Sequence, residues 1–236
     1  MSDQLMLLSA TAVSIGFIHT LLGPDHYLPF IMLSKARNWS ARKTMTVTFL
    51  CGVGHVMSSV VLGLVGIAVG ISVSKLVSVE SFRGNIAAWL FIAFGLVYMV
   101  ISIRSLLKKR RHTHSHFHAD GNAHLHEHNH FTEHAHIHGD KAGSSTPWVL
   151  FIIFVFGPCE PLIPILMYPA AKNNIHDAIF VSILFSIVTI VTMMSVVLAF
   201  RAGLSRINLK PLEKYSHVIA GAVIFLSGIA IAFFGL

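Results

Sequence analysis

Two short stretches set ionisable side chains and helix-breaking prolines inside otherwise apolar runs. The first is Gly23-Pro24-Asp25-His26-Tyr27-Leu28-Pro29-Phe30, and the second, Phe156 to Pro164, reads FGPCEPLIP. His19, Asp25, His26, His55, Cys159 and Glu160 offer imidazole, carboxylate and thiol groups. With free backbone oxygens beside them, such groups suit a borderline divalent metal, nickel, cobalt or zinc, better than magnesium or calcium. At a bilayer centre an Asp costs at least about 2.5 to 3.5 kcal/mol on insertion scales, so such residues are functional candidates by default. In a straight helix His19 and His26 stand roughly 10 Å apart along the axis, too far to share an ion held about 2.0 to 2.1 Å from each nitrogen. The helix must unwind between them, and Gly23-Pro24 offers the break. Because proline has no N–H, Pro24 frees the carbonyl of Thr20 and Pro158 that of Phe154. Thr189 and Thr192 are weaker candidates for polar lining.

The elements that position these groups are membrane helices. Of the 236 residues, 54% are hydrophobic and 11% charged, against about 25% charged in a soluble domain. Apolar runs of the length a bilayer needs, about 20 residues of helix, fall at roughly 5–33, 45–72, 86–106, 148–170, 176–200 and 215–236, which predicts an all-α polytopic protein with six spans. A transmembrane barrel is excluded, since VVLGLVGIAVGI and VIFLSGIAIAFFGL are apolar on every side instead of alternating. The N-terminal MSDQLMLL lacks the basic region of a cleavable signal, so the first span is expected to be retained.

The net charge of +7 is unevenly spread. Lys35, Arg37, Arg42 and Lys43 follow the first span. Arg104, Lys108, Lys109, Arg110, Arg111 and Lys141 lie between the third and fourth, and Arg201, Arg206, Lys210 and Lys214 between the fifth and sixth. The alternate loops are left with Lys75, Arg83 and Lys172. The positive-inside rule then places the three basic loops in the cytosol and both termini outside a cell membrane. The basic excess is thereby explained by topology, without nucleic acid as a partner. Cys51 and Cys159 fall within spans, which excludes a secreted disulfide framework.

Between the third and fourth spans the composition changes abruptly. Basic KKRR precedes eleven histidines, His112, His114, His116, His118, His124, His126, His128, His130, His134, His136 and His138, followed by GDKAGSSTP. A strand would place the alternating histidines on one face, but so few large apolar residues predict a disordered insert that captures metal weakly and multivalently. With a reference pKa near 6.5, imidazole is mostly neutral and metal-competent at pH 7.5. The insert divides the chain into 1–106 (three spans), 107–147 (histidine loop) and 148–236 (three spans). Three spans per half force the halves to cross in opposite directions, as in an inverted repeat with broken helices 1 and 4. GPDHYLP and GPCEPLIP occupy equivalent spans, and HVMSSVVLG is loosely echoed by VTMMSVVLAF.

The same residues carry a resemblance. HTLLGPDH (His19 to His26) and GVGHVMSSVV (Gly52 to Val61) resemble signature motifs of the nickel/cobalt transporter family, and the central histidine loop resembles its efflux permeases in particular. FGPCEPLIP is similar to segments of thiol-disulfide conduits of cytochrome c biogenesis and of sulfite-exporter-like proteins in the same broad superfamily. The expectation is a transporter of nickel or cobalt, not an enzyme, with the metal as cargo, no cofactor, and efflux favoured by the cytosolic loop. The alternatives are a thiol-disulfide electron carrier using Cys51 and Cys159, and a metal sensor or storage module. The sequence leaves the oligomeric state open, a homo-oligomer included.

Overall fold

The structure, a computed structural model, describes residues 2–108, 114–117, 123–126, 145–172, 174–206 and 210–234. Helix α1 (Asp3–Leu22) starts at Ser2, whose hydroxyl accepts from the Leu5 N–H. It stops where Gly23-Pro24 makes continuation impossible. A single 3-10 turn (Pro24–His26) follows, then α2 (Leu28–Ala36). Ser40 caps α3 (Ala41–Val69), which ends at Gly70 in the left-handed region, φ 72°. The tight turn at Gly70 leads into α4 (Val73–Lys108).

The fourth expected span is two short helices, α5 (Ser145–Phe156) and α6 (Leu162–Ala171), with the Gly157 to Pro161 break between them. Helices α7 (Ile175–Arg206), α8 (Lys210–Glu213) and α9 (Ser216–Phe234) complete the chain. Among the described residues five helices, α1, α3, α4, α7 and α9, are long and apolar enough to cross a membrane. The chain is thus a multi-pass membrane protein whose membrane part is all-helical. In the histidine loop, His114–Phe117 and Ala123–His126 pair as antiparallel strands, with His114 opposite His126 and His116 opposite His124. Over these eight residues the backbone departs from the structureless insert that composition predicts. The other seven loop histidines lie outside the described residues.

The third span begins earlier than hydropathy alone predicts. Residues 73–85, read above as loop, form the first turns of α4, and Glu80 there is completely buried. A hydropathy window penalises Lys75, Glu80 and Arg83, yet Glu80 and Arg83 neutralise each other at i,i+3 and so remain in the helix.

Helix α4 packs along α9, α3 on both α5 and α7, α1 on α7, α6 on α7, and α2 on α9. The α4–α9 contact is backbone-close. Gly95 abuts the Phe225 backbone, and a Cβ on Gly221 would sit 2.6 Å from the Met99 nitrogen. Small residues permit such van der Waals packing where lipid supplies no hydrophobic drive. Two apolar clusters result. One gathers Phe30, Cys51, Phe91, Phe154 and Met193, the other Ala12, Val56, Cys159, Leu162 and Phe185. Cys51 and Val56 put α3 into both clusters, so His55 sits at their seam.

Candidate metal site

At that seam the structure brings together His19, His26 and His55. One ring nitrogen from each lies within 4.8 Å of the others. The His19 and His26 rings are 4.9 Å apart, edge to face, and His26 and His55 are 5.1 Å apart in the same manner. The break that the spacing of His19 and His26 demands is therefore present. Ending α1 at Leu22 and folding Pro24–His26 into a 3-10 turn carries His26 back beside His19. The third histidine arrives from α3 across the bundle.

Each ring keeps an unpartnered, buried Nε2. For His26 the reason is local. Its Nδ1 is 3.1 Å from the Gly23 carbonyl, which makes Nδ1 the donor and leaves the lone pair on Nε2. The His55 ring lies beside the backbone carbonyl of Phe154, with its Nδ1 and that oxygen both against the Cα of Gly157. Its Nε2, like that of His26, has no hydrogen-bond partner. The Phe154 carbonyl is the one Pro158 frees, so the second broken helix meets a histidine of α3. Glycine makes both arrangements sterically feasible. A Cβ on Gly23 would collide with His26 Nδ1, and one on Gly157 would lie 3.0 Å from His55 Nδ1.

Asp25 sits behind His26. Its Oδ1 is 3.2 Å from Nδ1 as an ion-pair contact and has no other partner. A carboxylate behind a ligating imidazole fixes ring orientation and raises its basicity. Asp25, expected from sequence as a ligand, lies beside the three-histidine group and is not one of its members. A tetrahedral ion about 2.1 Å from each nitrogen sets the donors roughly 3.4 Å apart, so the three rings need close by only an ångström or so to hold a metal. Thr189, also fully buried, has an unpartnered hydroxyl, and Thr192 is buried beside it on α7.

Two expected ligands lie elsewhere. Glu160 is exposed at the α5–α6 break. Cys159 is fully buried in the second apolar cluster, and its N–H donates to Glu80 Oε2 at 3.2 Å. Neither belongs to the three-histidine group. Cys51 is a free thiol in the first cluster, one helical turn before His55, and Cys159 is likewise free. The pair Glu80 and Arg83 was not among the sequence candidates. The available signal was an acid and a base three residues apart at the edge of an apolar run.

A family model described as cytochrome C biogenesis protein transmembrane region matches residues 28–234. The chain belongs to that family. Within this cytochrome c biogenesis transmembrane family match lie His55, Glu80, Arg83, Cys51 and Cys159, whereas His19, Asp25 and His26 precede it. No curated protein and no solved structure matches the chain.

Proposed function

We propose that this membrane protein carries a divalent transition metal ion, nickel or cobalt foremost, across the bilayer through the His19–His26–His55 cluster. The observation that carries the reading is the convergence of three histidines, each offering a ring nitrogen within 4.8 Å of the others and each with a buried Nε2 that has no hydrogen-bond partner. Buried polar atoms normally find partners, and three orphans in one group of histidines are accounted for by a shared cation. Imidazole donors backed by a carboxylate favour borderline metals. The ion is cargo, and the protein acts as a carrier, not an enzyme.

An inverted repeat supports alternating access. The halves exchange packing partners, α1 on α7 as α5 on α3, with α3 against α7 and α4 against α9. Broken helices at the repeat interface are the usual place for a transported ion. Following the charge asymmetry, the histidine loop is cytosolic and the termini are outside, which favours efflux with the loop capturing metal at the mouth.

A second reading is favoured by the family itself, a cytochrome c biogenesis transmembrane region, which joins the resemblance of FGPCEPLIP to thiol-disulfide conduits and makes Cys51 and Cys159 the redox pair. Family membership speaks for this reading and the histidine geometry for the first. The two thiols are free and packed in separate apolar clusters, so electron transfer between them requires a rearrangement. The Cys51→Ser, Cys159→Ser double variant separates the two. Metal transport persists in it if the cluster is the working site, and activity vanishes if the thiols are.

A further inference from the structure

Helix α4 grips the α5–α6 break through three consecutive contacts. The Arg83 guanidinium donates to the carbonyls of Val155 at 2.7 Å and Gly157 at 3.4 Å, to Ser58 Oγ at 2.6 Å and to Glu80 Oε1 at 2.6 Å. Glu80 accepts the Cys159 N–H on its other oxygen. Gly84 receives the Pro158 ring, which would lie 2.9 Å from an added Cβ. The Val155 and Gly157 carbonyls at the end of α5 and the Cys159 N–H leading into α6 are therefore satisfied by one ion pair, its carboxylate fully buried and its guanidinium partly so, where a break in hydrocarbon needs protein partners.

The grip extends to the histidine cluster by two routes. Ser58, held by Arg83, donates to the carbonyl of His55 at 2.7 Å. The α5 end that Arg83 holds presents the Phe154 carbonyl to the His55 ring and the bare Cα of Gly157 to its Nδ1. The first break has a different construction. There Gly23 N–H closes on His19, the Tyr27 hydroxyl on Leu21 and His26 on Gly23, and α9, which packs on that turn, contains no acid, lysine or arginine.

We propose that Arg83 and Glu80 are positioning residues for metal binding. By fixing the α5–α6 break against α3, they hold the His55 ring in the cluster and make this half the rigid wall of the site. The proposal rests on the metal reading above. A guanidinium is required because its planar fork reaches Val155, Ser58 and Glu80 together, which a single ammonium does not.

The test is Co²⁺ titration of the purified full-length protein in lipid nanodiscs, following affinity and the visible absorption of bound Co²⁺ for wild type, Arg83→Lys, Glu80→Gln and Ser58→Ala. Ser58→Ala cuts the link to His55 and leaves the ion pair, so it should melt like wild type. Arg83→Lys should weaken Co²⁺ binding about ten-fold or more, the scale of second-shell changes, and alter the spectrum. Ser58→Ala should shift both in the same direction by less, and Glu80→Gln, which keeps an acceptor for the Cys159 N–H, should fall between. Wild-type affinity and spectrum in Ser58→Ala and in folded Arg83→Lys would overturn the positioning role alone. Failure of the intact protein to bind Co²⁺ would overturn the metal reading and this proposal together.

Discussion

His26 has the Gly23 carbonyl and the Asp25 carboxylate at Nδ1 and the His19 and His55 rings edge to face with its own. Removing the ring and removing its orienting partner should therefore differ. His26→Ala should abolish high-affinity Ni²⁺ or Co²⁺ binding, whereas Asp25→Asn should weaken it about ten- to a hundred-fold at unchanged stoichiometry, both read by equilibrium titration of the purified protein. Gly157→Ala is a subtler probe. Its methyl would lie 3.0 Å from His55 Nδ1, so the ring must shift, and metal affinity should fall while membrane insertion, read by extraction and gel filtration, stays normal. Single residues were unevenly legible. Types and spacing singled out His19, Asp25, His26 and His55, but Asp25's place beside the three-histidine group instead of in it depends on side-chain direction, and Glu160's exposure on packing. Neither is encoded in spacing.

The decisive elements are the two breaks. Both were readable from Gly-Pro inside apolar runs, since proline removes a helical N–H wherever it falls. What each freed carbonyl does was not readable. The Phe154 carbonyl lies beside the His55 ring, on a helix about a hundred residues earlier in the chain, a placement only tertiary packing creates. Glu80 and Arg83 were read as loop because hydropathy counts charges without knowing whether they satisfy each other. Pro24→Ala returns an N–H that can close on the Thr20 carbonyl and lets α1 continue, carrying His26 away from His19. Its metal affinity should drop about ten-fold or more, at least the scale of second-shell changes, with helix content by circular dichroism equal to or above wild type.

For the whole molecule, the membrane class followed from composition, because about 20 apolar residues have little choice but to span, whereas the fourth of the six expected spans is divided into two helices too short to cross singly. The proposed orientation rests on the basic loops. In a cysteine-free background, single cysteines at exposed Ser72 and Asn174 should react with an impermeant reagent from outside, and one at Ser40 should not. Reaction at Ser40 alone would reverse the topology and move the histidine loop out of the cytosol. That loop, of about 40 residues, sweeps a root-mean-square distance near 35 Å if flexible, enough to concentrate metal at the mouth by tethering. Deleting residues 113–139 should weaken apparent affinity for cytosolic metal and leave the rate at saturating metal largely intact. Loss of that maximal rate would make the loop part of the pathway.

Metal movement through the three-histidine cluster is tested most directly by Ni²⁺ or Co²⁺ flux in proteoliposomes containing wild type, His26→Ala, or Cys51→Ser with Cys159→Ser. The expected result is saturable flux in wild type, none in His26→Ala, and wild-type flux in the cysteine-free protein. No flux in wild type, undiminished flux in His26→Ala, or flux lost with the two thiols would contradict a histidine-based transporter, and the last outcome would move the working site to Cys51 and Cys159.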